Sequence, residues 1–231
     1  MKRFYKAVAT AEQEGGWQVL LDGRVVKTVG GRPQRVPSGA LAEALASEWA
    51  GQGEEIDPAA FILRDMADYA IDVVGTDREQ AIRELLPYAE TDTLCYRAEP
   101  GDSLRREQDR VWEPLLAEAE ARLGASFARI AGIMHRPQPA GTLARIEALL
   151  AELDDFALAA LRNLAGLAAS LVIGLAALEP DAAPEALWTA ANLEEDWQAE
   201  RWGRDEEAEQ RRAYRRAAFL AAARFAALAR G

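Results

Sequence analysis

The stretch from Phe156 to Leu178 constrains the fold most, because its only polar residues are Arg162, Asn163 and Ser170. As one helix it would be about 34 Å long at ~1.5 Å per residue, which is long enough to span a bilayer. Arg162 and Asn163 would be costly inside lipid, and the stretch has no flanking cluster of Lys and Arg. We therefore expect a buried central helix over 155–178.

Composition excludes several classes of protein. The 231 residues carry 38 acidic and 27 basic side chains, a net charge of −11, which argues against a nucleic-acid partner or an anionic membrane. The single Cys95 and the single His135 are too few for a Cys/His zinc site, and they form no internal disulfide. A Cys–His catalytic pair stays formally open, but Cys95 is more simply a buried apolar residue.

The N-terminal part has the pattern of strands. Phe4–Ala9 and Trp17–Leu21 are short β-prone runs, and Asp22-Gly23 suits the two-residue turn of a hairpin that leads into Arg24–Thr28. Helical spacing begins after this sheet, at Leu41, Leu45 and Trp49.

The rest of the chain is predominantly helical. Thr76 with Glu79 predicts a capping box, Asp102 or Ser103 predicts another N-cap, and Gly124 a helix end. Two segments interrupt the pattern, an extended one over 91–98 and a short proline-bounded one over 127–139. Four further helices are predicted over 142–153, 155–178, 184–202 and 205–230, the last with a stripe of Tyr214, Ala218, Ala221, Phe225 and Leu228.

These patterns predict an α+β fold in two domains. Residues 1–60 would form a small N-terminal α/β domain with a β-hairpin sheet, and residues 61–231 a larger all-α helical domain.

Common catalytic motifs are missing from the sequence, which has no phosphate-binding glycine loop and no Gly-x-Ser-x-Gly elbow. One helical segment is nevertheless unusual. Trp188, Glu195 and Trp202 are seven residues apart and would share one stripe, with Gln198 beside it. Two interpretations stay open. Glu195 either anchors a protein interface or pairs internally with an arginine of the last helix, for which the candidates are Arg211, Arg212, Arg215 and Arg216.

Short blocks in a fixed order connect this sequence to a known family. They are Arg3-Phe4-Tyr5-Lys6, Leu21-Asp22-Gly23-Arg24, Val26-Lys27-Thr28, Leu41-Ala42, Glu48-Trp49, Gln52, Ala70-Ile71-Asp72, Tyr88, Thr91-Asp92-Thr93-Leu94-Cys95-Tyr96-Arg97, Gln108, Trp112, Pro114, Ser170-Leu171 and Glu195-x-x-Gln198-x-x-x-Trp202-Gly203. Together they resemble the assembly chaperones of F-type ATP synthase that bind its alpha subunit, known from mitochondria and alphaproteobacteria. The departures from the family pattern are mild. Val29 stands where the family has a proline, the stretch 61–64 lacks the proline usual there, and Glu194 replaces an aspartate.

The resemblance implies a two-domain, non-enzymatic chaperone that needs no ATP or cofactor and holds unassembled alpha subunit until the beta subunit replaces it. It marks Glu195 as functionally important, and we expect Gln198, Trp202, Glu194 and Trp188 to join it in partner binding. We also expect a monomer. Because no presequence follows Met1, we expect bacterial cytoplasm, or the mitochondrial matrix if the source is eukaryotic.

Two other classes stay open at this point. One is a non-catalytic structural or adaptor subunit of another complex, which would co-purify with the finished assembly. The other is a small-molecule enzyme, which would need a pocket with perturbed titratable groups.

Overall fold

The computed structural model describes residues 1–203 and 205–231, and these form two compact units. The first unit comprises Met1–Ala81, Asp154–Ala160 and Ala221–Gly231. The second unit comprises Ile82–Leu153 and Leu161–Leu220. Each unit therefore combines separate stretches of the chain. The division into domains at residue 60 stays a prediction.

A small antiparallel sheet lies in the first unit. Its strands are β1 (Val8–Gln13), β2 (Gly16–Leu21), β3 (Arg24–Val25) and β4 (Arg35–Val36). β2 pairs with the other three, so it is the centre of the sheet. Asp22 and Gly23 have φ angles of 49° and 78°, as a two-residue hairpin turn requires, and this confirms the predicted turn.

The first strand begins later than the sequence predicts, at Val8 instead of Phe4. The Asp22 carboxylate accepts hydrogen bonds from the N–H groups of Lys6 and Ala7, at 3.1 and 2.8 Å. These two backbone N–H groups therefore donate to a side chain of the hairpin turn and not to a neighbouring strand. The two N–H groups also lower the pKa of Asp22.

Helix α1 (Gly39–Ala50) packs against this sheet and confirms the predicted first helix. It begins where the Ser38 hydroxyl accepts a hydrogen bond from Leu41 N–H, and it buries Leu41, Leu45 and Trp49. Near its end, both oxygens of Glu48 accept hydrogen bonds from the N–H groups of Leu63 and Arg64 at the start of the next helix. Burial raises the pKa of Glu48.

Helices make up most of the remaining chain, which confirms the predicted α+β class. They are α2 (Ile62–Tyr69), α3 (Arg78–Glu90), α4 (Ser103–Leu123), α5 (Ala140–Glu152), α6 (Asp155–Ala168), α7 (Leu171–Ala177), α8 (Pro184–Ala191), α9 (Leu193–Trp202) and α10 (Glu206–Arg230). A π-helical turn, Ala70–Val74, follows α2, and a parallel pair of short strands, β5 (Tyr96–Arg97) and β6 (Ile130–Ala131), lies in the second unit.

The predicted helix ends are partly right. Asp102 caps α4 by accepting from Leu104 N–H, and Gly124 ends that helix with a φ of 61°. The capping box at Thr76 is wrong, because the Asp77 carboxylate accepts the N–H of Gln80 instead. The Thr76 hydroxyl donates to a carbonyl of the preceding turn, that of Asp72.

The predicted central helix over 155–178 is interrupted. Ala169, between α6 and α7, has a φ of 48°, a left-handed conformation that ends a helix. The Ser170 hydroxyl then caps α7 by accepting from Ile173 N–H at 3.1 Å. Across the described ranges 1–203 and 205–231, no helix has both the length and the apolar character needed to cross a membrane.

A buried carboxylate from a distant part of the chain supports this break. Asp92 is 0% exposed and accepts hydrogen bonds from Val172 N–H at 2.9 Å and Leu94 N–H at 3.0 Å. The Leu171 N–H and the Ser170 side chain also favour its charged form. Asp92 therefore satisfies N–H groups that the start of α7 leaves without intrahelical partners.

Asp92 makes stability depend on pH. Burial raises its pKa from 3.8 to about 6, although the donated hydrogen bonds lower it in part. A folded-state pKa above the unfolded value favours folding at low pH, and this contribution is lost as pH rises through 6. The unfolding free energy of the wild type, minus that of Asp92→Asn, should increase by about 2 kcal/mol from pH 7 to pH 4. Denaturant titrations of both proteins at each pH measure this difference, and a pH-independent difference would contradict it.

The last three helices agree with the sequence prediction only in part, since α10 (Glu206–Arg230) matches the helix predicted over 205–230 but the segment before it does not match. The helix predicted over 184–202 is interrupted at Asn192, which has φ −103° and ψ 18° and separates α8 from α9. Its side chain donates back to Trp188 O at 2.8 Å. The apolar stripe predicted on α10 is only partly right, because Phe225 is fully buried but Tyr214 is 79% exposed.

The second unit has a well-packed apolar core. Trp112 of α4 is fully buried, and its indole N–H donates to Ala190 O of α8 at 2.8 Å. Trp188 of α8 packs on Phe219 of α10 with 5.6 Å between the ring centroids. Helix α8 thus contacts buried aromatic side chains of both α4 and α10.

Candidate functional site

A surface cleft of about 490 Å³ lies between α9 and α10 in the second unit. Its α9 wall includes Glu195, Gln198 and Trp202, and its α10 wall includes Arg212 and Arg215. The sequence therefore predicted three of the residues that the fold brings together here.

Glu195 lies at the mouth of the cleft beside an arginine. Its Oε1 is 3.5 Å from Nη1 of Arg215, and the two side chains are 56% and 41% exposed. Arg215 also donates to Leu167 O at 2.9 Å, and its guanidinium lies 5.7 Å from the centroid of the Trp188 ring. Arg215 is thus held by three neighbours, whereas Glu195 remains largely in contact with solvent.

A second ion pair joins the two walls. Asp196 pairs with Arg212, with side chains 27% and 20% exposed, and its hydrogen bond raises the pKa of the Arg212 guanidinium. Because the Asp196–Arg212 pair is more buried and in closer contact, it contributes more to the relative position of α9 and α10 than the Glu195–Arg215 pair does. Asp196 and Arg212 therefore set the width of the cleft and leave Glu195 available for other contacts.

Trp202 gives the cleft an apolar contact surface. Trp202 is 79% exposed at the end of α9. A partner that covers an indole buries a large apolar area. Exposed tryptophans beside charged groups are typical of the anchor residues of protein interfaces.

Two of the predicted site residues lie elsewhere. Trp188 is only 2% exposed and belongs to the core. Glu194 turns to the other side of α9, where its carboxylate accepts a hydrogen bond from Gln108 Nε2, and burial raises its pKa. The single stripe of Trp188, Glu195 and Trp202 is wrong because the irregular turn at Asn192 interrupts the helix on which it depended.

Sequence reasoning missed the role of Asp196, which stands beside Glu195 in the chain but faces Arg212. The signal was available, since α9 and α10 are rich in opposite charges, but the pairing depends on which helix faces are packed together.

Cys95 and His135, the two residues of the catalytic pair left open by the sequence, have different environments. Cys95 is fully buried, and burial raises the pKa of its thiol, whereas His135 is exposed with its Nδ1 3.2 Å from the Tyr96 hydroxyl.

The cleft between α9 and α10 thus presents an exposed indole beside charged groups, an arrangement typical of protein interfaces. Comparison with known proteins gives the family. The model of the ATP12 chaperone protein family matches residues 2–120, and the chain belongs to this family.

Individual relatives can be aligned with almost the whole length of this chain. The crystal structure of Atp12 from Paracoccus denitrificans is 39% identical with a TM-score of 0.92, covering 99% of this chain and 98% of that one. A point mutant of P. denitrificans Atp12p, in which lysine replaces one aspartate, is also 39% identical, with a TM-score of 0.93 and coverage of 99% and 97%. "Protein atp12, mitochondrial" of Schizosaccharomyces pombe is 28% identical over 219 residues, which is 90% of this chain and 75% of that protein.

These similarities confirm the family resemblance found in the sequence, and with it a chaperone role in ATP synthase assembly.

Proposed function

We propose that this protein is an ATP-independent chaperone that binds the unassembled alpha subunit of F-type ATP synthase, without catalysis, and shields its interface until the beta subunit replaces it. We place this activity in the bacterial cytoplasm, or in the mitochondrial matrix if the source is eukaryotic. The observation that carries the proposal is the cleft between α9 and α10, in which Trp202 is exposed and Glu195 is held only loosely.

The physical basis is an exchange of partners at Glu195. Its contact with Arg215 is 3.5 Å long and solvent-exposed, and such pairs contribute only about 0–1 kcal/mol. A cationic side chain of the client can therefore take the place of Arg215 at little cost, while Trp202 covers apolar client surface beside it. Without an energy source, the affinity must stay below that of the beta subunit, so that assembly displaces the chaperone.

A test of this proposal follows the aggregation of purified cognate alpha subunit after dilution from denaturant, by light scattering. The wild type should suppress scattering near an equimolar ratio, whereas albumin should not. Glu195→Lys should bind alpha subunit about 10-fold or more weakly, because it places a cation opposite the client's own. Its unfolding free energy should change by only about 1 kcal/mol.

A matched control lies on the same helix. Glu200→Lys makes the same charge change at an exposed residue that does not line the cleft, and it should retain wild-type affinity. A large drop in the melting temperature of Glu195→Lys would instead show that Glu195 is a structural residue and would contradict the proposal.

The structural-subunit alternative predicts a different distribution in cells. A chaperone should be absent from mature ATP synthase, whereas a structural subunit or adaptor would co-purify with its complex in fixed stoichiometry. Quantitative mass spectrometry of the purified synthase separates the two.

A further inference from the structure

Three arginines of α10 line the α9–α10 cleft, and they are paired in different ways. Arg212 pairs with Asp196 across the cleft, and this hydrogen bond is the main cause of its raised pKa. Arg211 pairs within its own helix, where its Nη1 lies 2.5 Å from Oε1 of Glu207. Each of these two arginines therefore has a close carboxylate partner other than Glu195.

Arg215, the third arginine, is held in place by groups other than Glu195. Its Nη2 donates to Leu167 O at 2.9 Å, and its guanidinium lies 5.7 Å from the centroid of the Trp188 ring. The contact of its Nη1 with Glu195 is longer, at 3.5 Å, and both side chains are partly exposed. Arg215 therefore keeps two contacts when the Glu195 side chain turns away from it.

A client cation that binds Glu195 has to replace Arg215 as the partner of that carboxylate. Because Leu167 O and the Trp188 ring hold Arg215 nearby, its positive charge stays close to the incoming cation and repels it. Client binding therefore loses the attraction between Glu195 and Arg215 and adds this repulsion. Exposed ion pairs change an equilibrium constant by up to about fivefold, so the opposing effect is modest but measurable.

We propose that Arg215 is an internal competitor for Glu195. In the free chaperone it occupies the carboxylate that the client's cation takes in the complex, and it thereby weakens client binding. This inference rests on the proposed function of the α9–α10 cleft and names the residue that tunes the affinity there. During release, Arg215 restores its contact with Glu195 as the client's cation leaves, which favours displacement by the beta subunit without an energy source.

The test compares affinities for purified cognate alpha subunit by competition. Wild-type chaperone labelled with fluorescein at its N-terminal amine forms the complex, and unlabelled variants displace it while fluorescence anisotropy is measured. Arg215→Gln should compete about threefold more strongly than the wild type, because glutamine has an amide donor but no charge. Arg215→Lys keeps the charge and should compete like the wild type. The advantage of Arg215→Gln should shrink in 1 M NaCl, where the Debye length is about 3 Å.

A matched control variant lies on the same helix. Arg211→Gln removes the same charge from the same cleft but breaks only the pair with Glu207, so its affinity should stay within about twofold of the wild type. In the Glu195→Gln background, Arg215→Gln should tighten binding less than it does in the wild type, because the attraction that it removes is already absent.

Unchanged or weaker binding by Arg215→Gln would overturn the inference, and a lower melting temperature with it would identify Arg215 as a structural residue. Equal tightening by Arg211→Gln would also overturn it, since any loss of positive charge from the cleft would then suffice. If the labelled wild type does not bind alpha subunit at all, the proposed function itself is wrong, and this inference is wrong with it.

Discussion

Replacing Asp92 with alanine should lower the free energy of unfolding by about 4 kcal/mol. The substitution removes one buried acceptor and leaves the N–H groups of Leu94 and Val172 without it. A buried donor that loses its acceptor costs about 1–3 kcal/mol, and relief of the buried charge at neutral pH offsets part of the sum. Urea titration followed by circular dichroism measures the change.

The same substitution at an exposed N-cap is the control. Asp102 caps α4 by accepting from Leu104 N–H, but it is exposed, so water can replace it. Asp102→Ala should cost about 1 kcal/mol. If Asp92→Ala proved equally mild, the buried carboxylate would not be what stabilises the interruption between α6 and α7.

The second large effect is expected at Trp112. Trp112→Ala should lower the unfolding free energy by about 4 kcal/mol, because it removes a fully buried indole and leaves a cavity in the core of the second unit. It also deprives Ala190 O of its hydrogen-bond donor. For a chain of this size the melting temperature should fall by about 10 °C, which calorimetry measures.

Two further variants separate packing from hydrogen bonding. Trp112→Phe keeps most of the ring volume but loses the N–H, so it should cost only about 1–2 kcal/mol. Trp202→Ala removes an indole that is 79% exposed and should leave stability within about 0.5 kcal/mol of wild type. Equal losses at Trp112 and Trp202 would contradict the burial that distinguishes them.

Many of the residues that identify the family act in the fold and not in the cleft. The Thr28 hydroxyl donates to Asp72 at 2.8 Å, and Gly30 N–H donates to the same carboxylate at 2.7 Å. A Cβ at Gly30 would approach the Asp72 carboxylate to 2.7 Å, so a larger residue there would displace that carboxylate. Asp92, Gln108 and Trp112 likewise hold segments together. The sequence blocks therefore report the shared architecture first, whereas Glu195, Gln198 and Trp202 line the α9–α10 cleft.

Local sequence determined the features that depend on local interactions. The Asp22-Gly23 hairpin, helix α1 with its buried Leu41, Leu45 and Trp49, the cap at Asp102 and the α+β class all follow from turn chemistry and apolar spacing within a few residues. The family, too, was evident from the order of short blocks, and the comparisons confirm it.

Tertiary structure alone decided where helices are interrupted and which faces meet. Apolar periodicity continues unbroken from 155 to 178, but Asp92, 80 residues before Val172 in the chain, supplies the acceptor that makes a new helix start favourable at Ser170. In the same way, the turn at Asn192 separates α8 from α9, and Trp188 lies in the core while Glu195 lies beside Arg215. Hydrogen-bond partners and packing neighbours of this kind come from distant segments, so periodicity within one segment cannot specify them.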